Sequence, residues 1–125
     1  EQELSAAAMK NVTITFVPHL VPVKNGICTT TTAMLQGDLA SVDHALRSTY
    51  ANSSFVRLLG TGSCPDTKNV THTNFIDIGW QHDERTGRLL LLSAEDNLGK
   101  GAAGQAVQSF NIMTGLPDTT GLGTV

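Results

Sequence analysis

Charge is scarce in this chain. Only 15% of its 125 residues are Asp, Glu, Lys or Arg, well below the roughly 25% of an average soluble domain. Little charge leaves little material to cover a surface, so part of this surface is expected to face a partner chain or another domain. A basic excess is also lacking: 11 acidic side chains stand against 8 basic ones, for a net charge of -3. That argues against a nucleic-acid binder held by phosphate contacts. No apolar run reaches the roughly 18 residues of a membrane-spanning helix, so no membrane partner is expected. The start lacks the basic, apolar and small-residue pattern of a secretion signal, which points to the cytoplasm. Cys28 and Cys64 are the only cysteines, too few for a disulfide framework and too far apart for a close metal-ligand pair. They read as reduced thiols, with one disulfide as the alternative. The 4 histidines share no ligand spacing, so no metal is expected.

What is present is enough for one domain. A chain of this length buries roughly two thirds of the surface it exposes when unfolded, so it needs no staple to fold. It begins Glu1-Gln2-Glu3-Leu4 without an initiator Met, and reads as part of something longer. Residues 1–9 favour helix by composition. Residues 12–17 (VTITFV) alternate as a strand, ended by Pro18 and Pro22, which cannot donate to a ladder. Residues 27–35, rich in β-branched threonine, form a second strand. Residues 40–50 read as an amphipathic helix with Val42, Leu46 and Tyr50 on one face, capped by Asp38 or Ser41. Strands follow at 55–59 and 70–82. A turn at 83–87 then leads into a return strand at 88–94, whose unbroken apolar run suggests burial on both faces. Residues 102–114 make a last helix, with Ala103, Ala106, Val107, Phe110 and Met113 on one stripe and Gly115 and Pro117 as its stop. The tail beyond is turn-rich and expected to be mobile. The expected fold is α+β, a mixed and largely antiparallel sheet with helices on one face, in the order α-β-β-α-β-β-β-α.

Several residues invite a chemical reading. His19 lies between two prolines at a strand end, where a rigid backbone suits a general acid or base. His44, His72 and His82 read more readily as structural or exposed. Gly99, Gly101 and Gly104 match the spacing of a dinucleotide fingerprint, but no second strand follows. Close packing through small residues explains them better. The Asp66-Thr67-Lys68-Asn69 loop is either the wall of a binding site or a capped turn. Neither cysteine has the base or positive field that a nucleophile needs.

Three segments together carry a resemblance. They are Phe16-Val17-Pro18-His19-Leu20-Val21-Pro22, then Pro65-Asp66-Thr67-Lys68-Asn69-Val70, then the run from Asp96-Asn97-Leu98-Gly99-Lys100-Gly101 through Gln108 and on to Leu122. In this order, over nearly the whole chain, they resemble the C-terminal catalytic and dimerisation part of the N-acetyl-gamma-glutamyl-phosphate reductases, of the semialdehyde dehydrogenase superfamily. The resemblance implies an NADP-dependent enzyme of arginine biosynthesis that acts on a small acyl phosphate through a cysteine thioester. Residues 1–125 would be a single domain. The N-terminal Rossmann domain, with the nucleophile's Pro-Gly-Cys and most of the NADP site, would be its partner, and a homo-oligomer, dimer or tetramer, is implied. His19 falls on the family's acid-base histidine. Asn97 falls in the loop that approaches the nicotinamide. Two positions depart from the pattern: the usual Arg-Gly-Ile reads Asn25-Gly26-Ile27 beside Lys24, and the usual Val-Arg-Gly-Ser-Asn reads Val70-Thr71-His72-Thr73-Asn74. Lysine cannot supply the bidentate fork of arginine. Lys24, Asn25, Lys68 and His72 are therefore the candidates for holding the substrate. Two other readings stay open: an assembly module with no activity of its own, and a reductase for another acyl phosphate, such as a carrier-bound aminoadipyl group.

Overall fold

Threonine and apolar β-branched residues pair best across a pleated surface, and the chain uses them to build one sheet. The computed structural model describes residues 1–123. Strands β1 (Ile27–Met34), β2 (Val56–Thr61), β3 (Ile76–Asp83) and β4 (Arg88–Glu95) form a four-stranded sheet in the order β1-β4-β3-β2. β4 pairs antiparallel with both β1 and β3, while β2 runs parallel to β3. The class is α+β, as expected, with a mixed and largely antiparallel sheet. Helices α1 (Gln2–Ala8), α2 (Leu39–Tyr50) and α3 (Gly104–Met113) complete it, with a 3₁₀ turn at Thr67–Asn69 and a π turn at Gly99–Ala103. No helix among the described residues is long and apolar enough to cross a membrane.

α2 starts where its sequence says. Asp38 accepts from the Ser41 N–H at 2.8 Å, satisfying one of the helix's orphan donors. Val42, Leu46 and Tyr50 are half-buried; Leu46 and Tyr50 lie over Ile76, Ile78 and Leu91 of the sheet. On β3, Asp77 and Gly79 alternate with Ile76 and Ile78 and so face the other side. An added Cβ at Gly79 would collide with the Ser63 carbonyl, so only glycine lets the 62–70 loop cross there. The buried apolar side chains among the described residues are few: Phe55, Val70, Phe75, Trp80 and Ala94, with Leu122 packed on the cluster of Phe55, Val70, Phe75 and Ala94. Phe55 and Phe75 meet edge to face at 5.5 Å.

Some expectations differ from the structure. Residues 12–17 form no strand. The Val12 N–H goes to Ser5 Oγ and the Ile14 N–H to Glu1 Oε1, so no ladder partner exists, and the sheet has one strand fewer than expected. Ile14, Phe16, Val17 and Leu20 stand 46%, 79%, 64% and 103% exposed on an irregular arm. The alternation was a true apolar pattern, but no second strand of this chain lies opposite it. The strand expected over 70–82 begins only at Ile76, because 70–73 is a turn with His72 at φ 62°. β4 is central, yet Leu89 to Leu92 are only half-buried, because strands on both edges do not by themselves cover its two faces. α3 is turned the other way from its apolar pattern: Gly104, Gln108 and Asn111 are its buried residues, while Val107, Phe110 and Met113 stand 41%, 60% and 86% exposed. The tail is tied down as well: Asn111 Nδ2 donates to the Asp118 and Thr120 carbonyls, and Ser54 Oγ to Asp118 Oδ1 at 2.8 Å.

Candidate functional site

Among the described residues the buried polar side chains are Asn74, Asp77, Asp96, Gln108 and Asn111. Asp96 follows the last residue of β4 and is 1% exposed. Its Oδ1 accepts the N–H groups of Leu98 and Gly99 at 2.7 and 2.8 Å, capping the π turn. Its Oδ2 accepts the His72 N–H at 2.7 Å and the Asn25 amide at 3.4 Å. Burial alone would push the Asp96 carboxyl up. The N–H groups of His72, Gly99 and Leu98, joined by the Asn25 amide, outweigh it and hold the carboxyl below the usual carboxylate range. Next to it, Asn97 Oδ1 accepts the Gly26 N–H at 2.9 Å. One short loop therefore fastens the 24–27 segment and the 70–73 turn.

Glycine lets these pieces close. Gly26, at φ +122°, sits against Thr67, whose Cγ2 would lie 2.6 Å from an added Cβ. The fingerprint-like glycines also mark tight packing. An added Cβ would lie 2.5 Å from the Thr73 carbonyl at Gly99 and 3.2 Å from the Asp96 carbonyl at Gly101, and at Gly104 it would collide with Asn74 Oδ1. Close packing at these glycines is as expected. Behind Gly104 lies a second polar set. Gln108 Oε1 accepts from Lys100 Nζ at 2.7 Å and from Asn74 Nδ2 at 3.2 Å, and Gln108 Nε2 donates to Asp118 Oδ2. Burial, partly offset by Glu95 and Asp118, lowers the Lys100 ammonium from its usual value. The 70–75 turn is braced by Arg57, which forks onto buried Asp77 at 2.6 and 3.1 Å, donates to the Asn69 carbonyl, and lies 4.6 Å over the Phe75 ring.

A hollow of about 540 Å³ opens between these parts, lined among others by Asn25, His72, Asn74, Asp96 and Leu122. Of the residues singled out from sequence, Asn25 and His72 share this hollow, and Asn97 joins them through Gly26. Lys24 is exposed and not part of the lining. Lys68 Nζ is turned to Asp66 at 3.0 Å, and the Asp66 carboxyl also accepts the Lys68 N–H, so that loop is a capped turn. The Lys68 contacts lower the Asp66 carboxyl from its usual value. His19 stands on the exposed arm, its Nδ1 3.1 Å from the Val17 carbonyl. A carbonyl only accepts, so in this contact Nδ1 is the donor. Cys28 and Cys64 are free and exposed.

Asp96 itself was not singled out from sequence. A signal was there: an Asp two and three residues ahead of a glycine-rich helix start is well placed to cap it. Gln108 gave no such signal, because the apolar stripe of α3 pointed to the opposite face.

Sheet and clamp together define a small α+β domain whose polar side chains are fastened inward and whose apolar arm and last helix face out. The chain belongs to the semialdehyde dehydrogenase dimerisation-domain family, whose model matches residues 1–97. Over 98% of its length it is 57% identical to an N-acetyl-gamma-glutamyl-phosphate reductase of Akkermansia muciniphila. It is 51% and 49% identical over the same share to proteins of that name from Geobacter metallireducens and Acetivibrio thermocellus. The chain spans 36% of the length of each of these relatives.

Proposed function

We propose that this chain is the C-terminal catalytic and dimerisation domain of an NADP-dependent reductase that works in the cytoplasm. It converts N-acetyl-gamma-glutamyl phosphate to N-acetylglutamate semialdehyde and phosphate. The observation that carries the reading is the 57% identity over 98% of the chain to a reductase of that name. The clamp supports it, because Asp96 and Asn97 fasten the segments that hold Asn25 and His72 beside a ligand-sized hollow.

In this reading the acyl group passes from phosphate to a cysteine of an N-terminal Rossmann domain and is then reduced to the aldehyde. NADPH, when bound, supplies the hydride. His19 Nε2 takes the thiol proton and returns it, acting from the rigid Pro18–Pro22 arm. Asn97 fits the nicotinamide side: its Oδ1 is held by the Gly26 N–H, which orients the amide NH₂ to donate. Asn25 and His72 contact the substrate, with Lys24 and Lys68 as outer positive charges. The Rossmann domain covers the apolar arm and the outer face of α3, and a second copy covers the open sheet. The test assays the complete polypeptide for NADPH consumption on the acyl phosphate. Turnover that is lost on removing the upstream domain is expected; turnover by residues 1–125 alone overturns the division of labour.

A second reading rests on Asn25, which stands where the resemblance places an arginine: a reductase for a different, carrier-bound acyl phosphate. Competing the two substrates on the complete enzyme separates them. A third, pure assembly, is favoured by the exposed edge strand β1, and is the outcome if neither substrate turns over while the protein remains dimeric.

A further inference from the structure

The carboxylate of Asp96 has four acceptor positions, and this fold fills all of them. Oδ1 holds the Leu98 and Gly99 N–H groups, and Oδ2 holds the His72 N–H and the Asn25 amide. Three of the four distances are 2.7 to 2.8 Å, the short range of charge-assisted bonds. No cation lies among these partners, so the negative charge is balanced only by oriented N–H dipoles. A group so fully engaged cannot take a substrate proton without giving up a backbone bond. It is also too buried, at 1% exposure, to meet solvent. It does reach segments far apart in sequence, and every one of them ends in a side chain at the hollow.

We infer that Asp96 is the positioning residue of this site: its carboxylate fixes Asn25, His72 and the Asn97 loop in one arrangement, and acts on substrate only through them. The inference rests on the reductase reading for its kinetic consequence and on geometry alone for the clamp. Asn25 is the single side-chain donor in the set, so it is the member through which the effect on substrate is passed. The His72 backbone, at φ 62°, is a conformation that a non-glycine residue keeps only when its surroundings impose it. Asp96 contributes the bond to the His72 N–H itself, beside the Thr71 and Thr73 bonds that hold the rest of the turn.

The test uses the complete enzyme with D96N, N25A and the double variant, read by residue-resolved amide exchange and by steady-state kinetics. D96N keeps the size of the side chain but sets an NH₂ against N–H donors. Exchange is expected to rise tenfold or more at Gly26, His72 and Gly99 while β3 and β4 stay unchanged. KM for the acyl phosphate is expected to rise tenfold or more, with kcat within threefold. N25A should raise KM alone and add less than twofold to D96N, the mark of one shared path. Exchange that rises uniformly, KM within twofold of wild type, or effects that multiply in the double variant would each overturn the inference. If D96N does not fold, N25A decides, because it leaves the three backbone bonds intact. Faster exchange at Gly26 supports the clamp and unchanged exchange there overturns it, whatever KM does, because Asn25 itself touches substrate. A wild-type enzyme that turns over no acyl phosphate refutes the reductase reading, and the exchange pattern then decides the clamp by itself.

Discussion

Asp96 and its neighbours are polar and closed, while the 11–23 arm and the outer face of α3 are apolar and open. In the first region a buried carboxylate has every acceptor position filled by a donor of the same chain. In the second, Phe16, Leu20, Phe110 and Met113 stand 60% exposed or more. Small apolar cores are common in short domains, but one that shares the interior with as many buried polar side chains is unusual. The contrast teaches that the apolar residues of the arm and of α3, unlike those of the core, are not enclosed by this domain. The polar residues are the ones that shape what the domain holds within itself.

The comparison can be broken at several points. The largest effect is expected at His19, on the open side. H19A in the complete enzyme should lower turnover by roughly 10² to 10⁴ and leave the thermal midpoint unchanged, since the side chain bonds only to Val17. A loss under about threefold in an activity assay would reduce His19 to a surface residue. On the closed side, R57A strands the carboxylate of Asp77, which is 2% exposed. Chemical denaturation should show a loss of roughly 2–3 kcal/mol, below the full cost for a buried pair because Arg57 is partly exposed.

Acid provides the next test. The folded-state pKa of Asp96 is below its unfolded value, so its contribution is present above about pH 3.9 and is lost as pH falls through the folded value. Stability measured against pH should therefore fall less steeply on the acid side in a folded D96N variant than in wild type. H72G should raise stability by about 1 kcal/mol in thermal melts, by removing the cost of a left-handed non-glycine residue. Smallest of all is L20S. With Leu20 fully exposed, unfolding free energy should move by no more than about 0.5 kcal/mol; a larger fall would mean that the arm packs on this domain after all.

Much of this contrast was legible from the residues, and its gaps follow a rule. α2 declared itself through Asp38 and its apolar face, and the 83–87 hairpin through its turn residues, because those signals are local. The resemblance gave Asn25, His72 and Asn97, and the fold gathers these three. The strand expected at 12–17 is absent and the apolar stripe of α3 stands exposed for one reason. Period shows that apolar residues share a face, but not which molecule covers it. Gln108, Asn74 and the clamp were hidden because a polar residue's burial depends on distant partners that no window of sequence contains. Leu89 to Leu92 show the same limit: their run promised enclosure on both faces, and α2 supplies only part of it.

The clamp also bears on how the domain acquires its shape. Asn25 and Asp96 are 71 positions apart, and His72 and Asp96 are 24 apart. Contacts of such long span carry the largest loop-closure cost and tend to form late. The β3–β4 hairpin is local and can form early, whereas the hollow exists only once β1 has docked on β4 and brought Asn25 across. A half-folded chain therefore has a hairpin but no hollow, and the hollow arrives in the final step of folding.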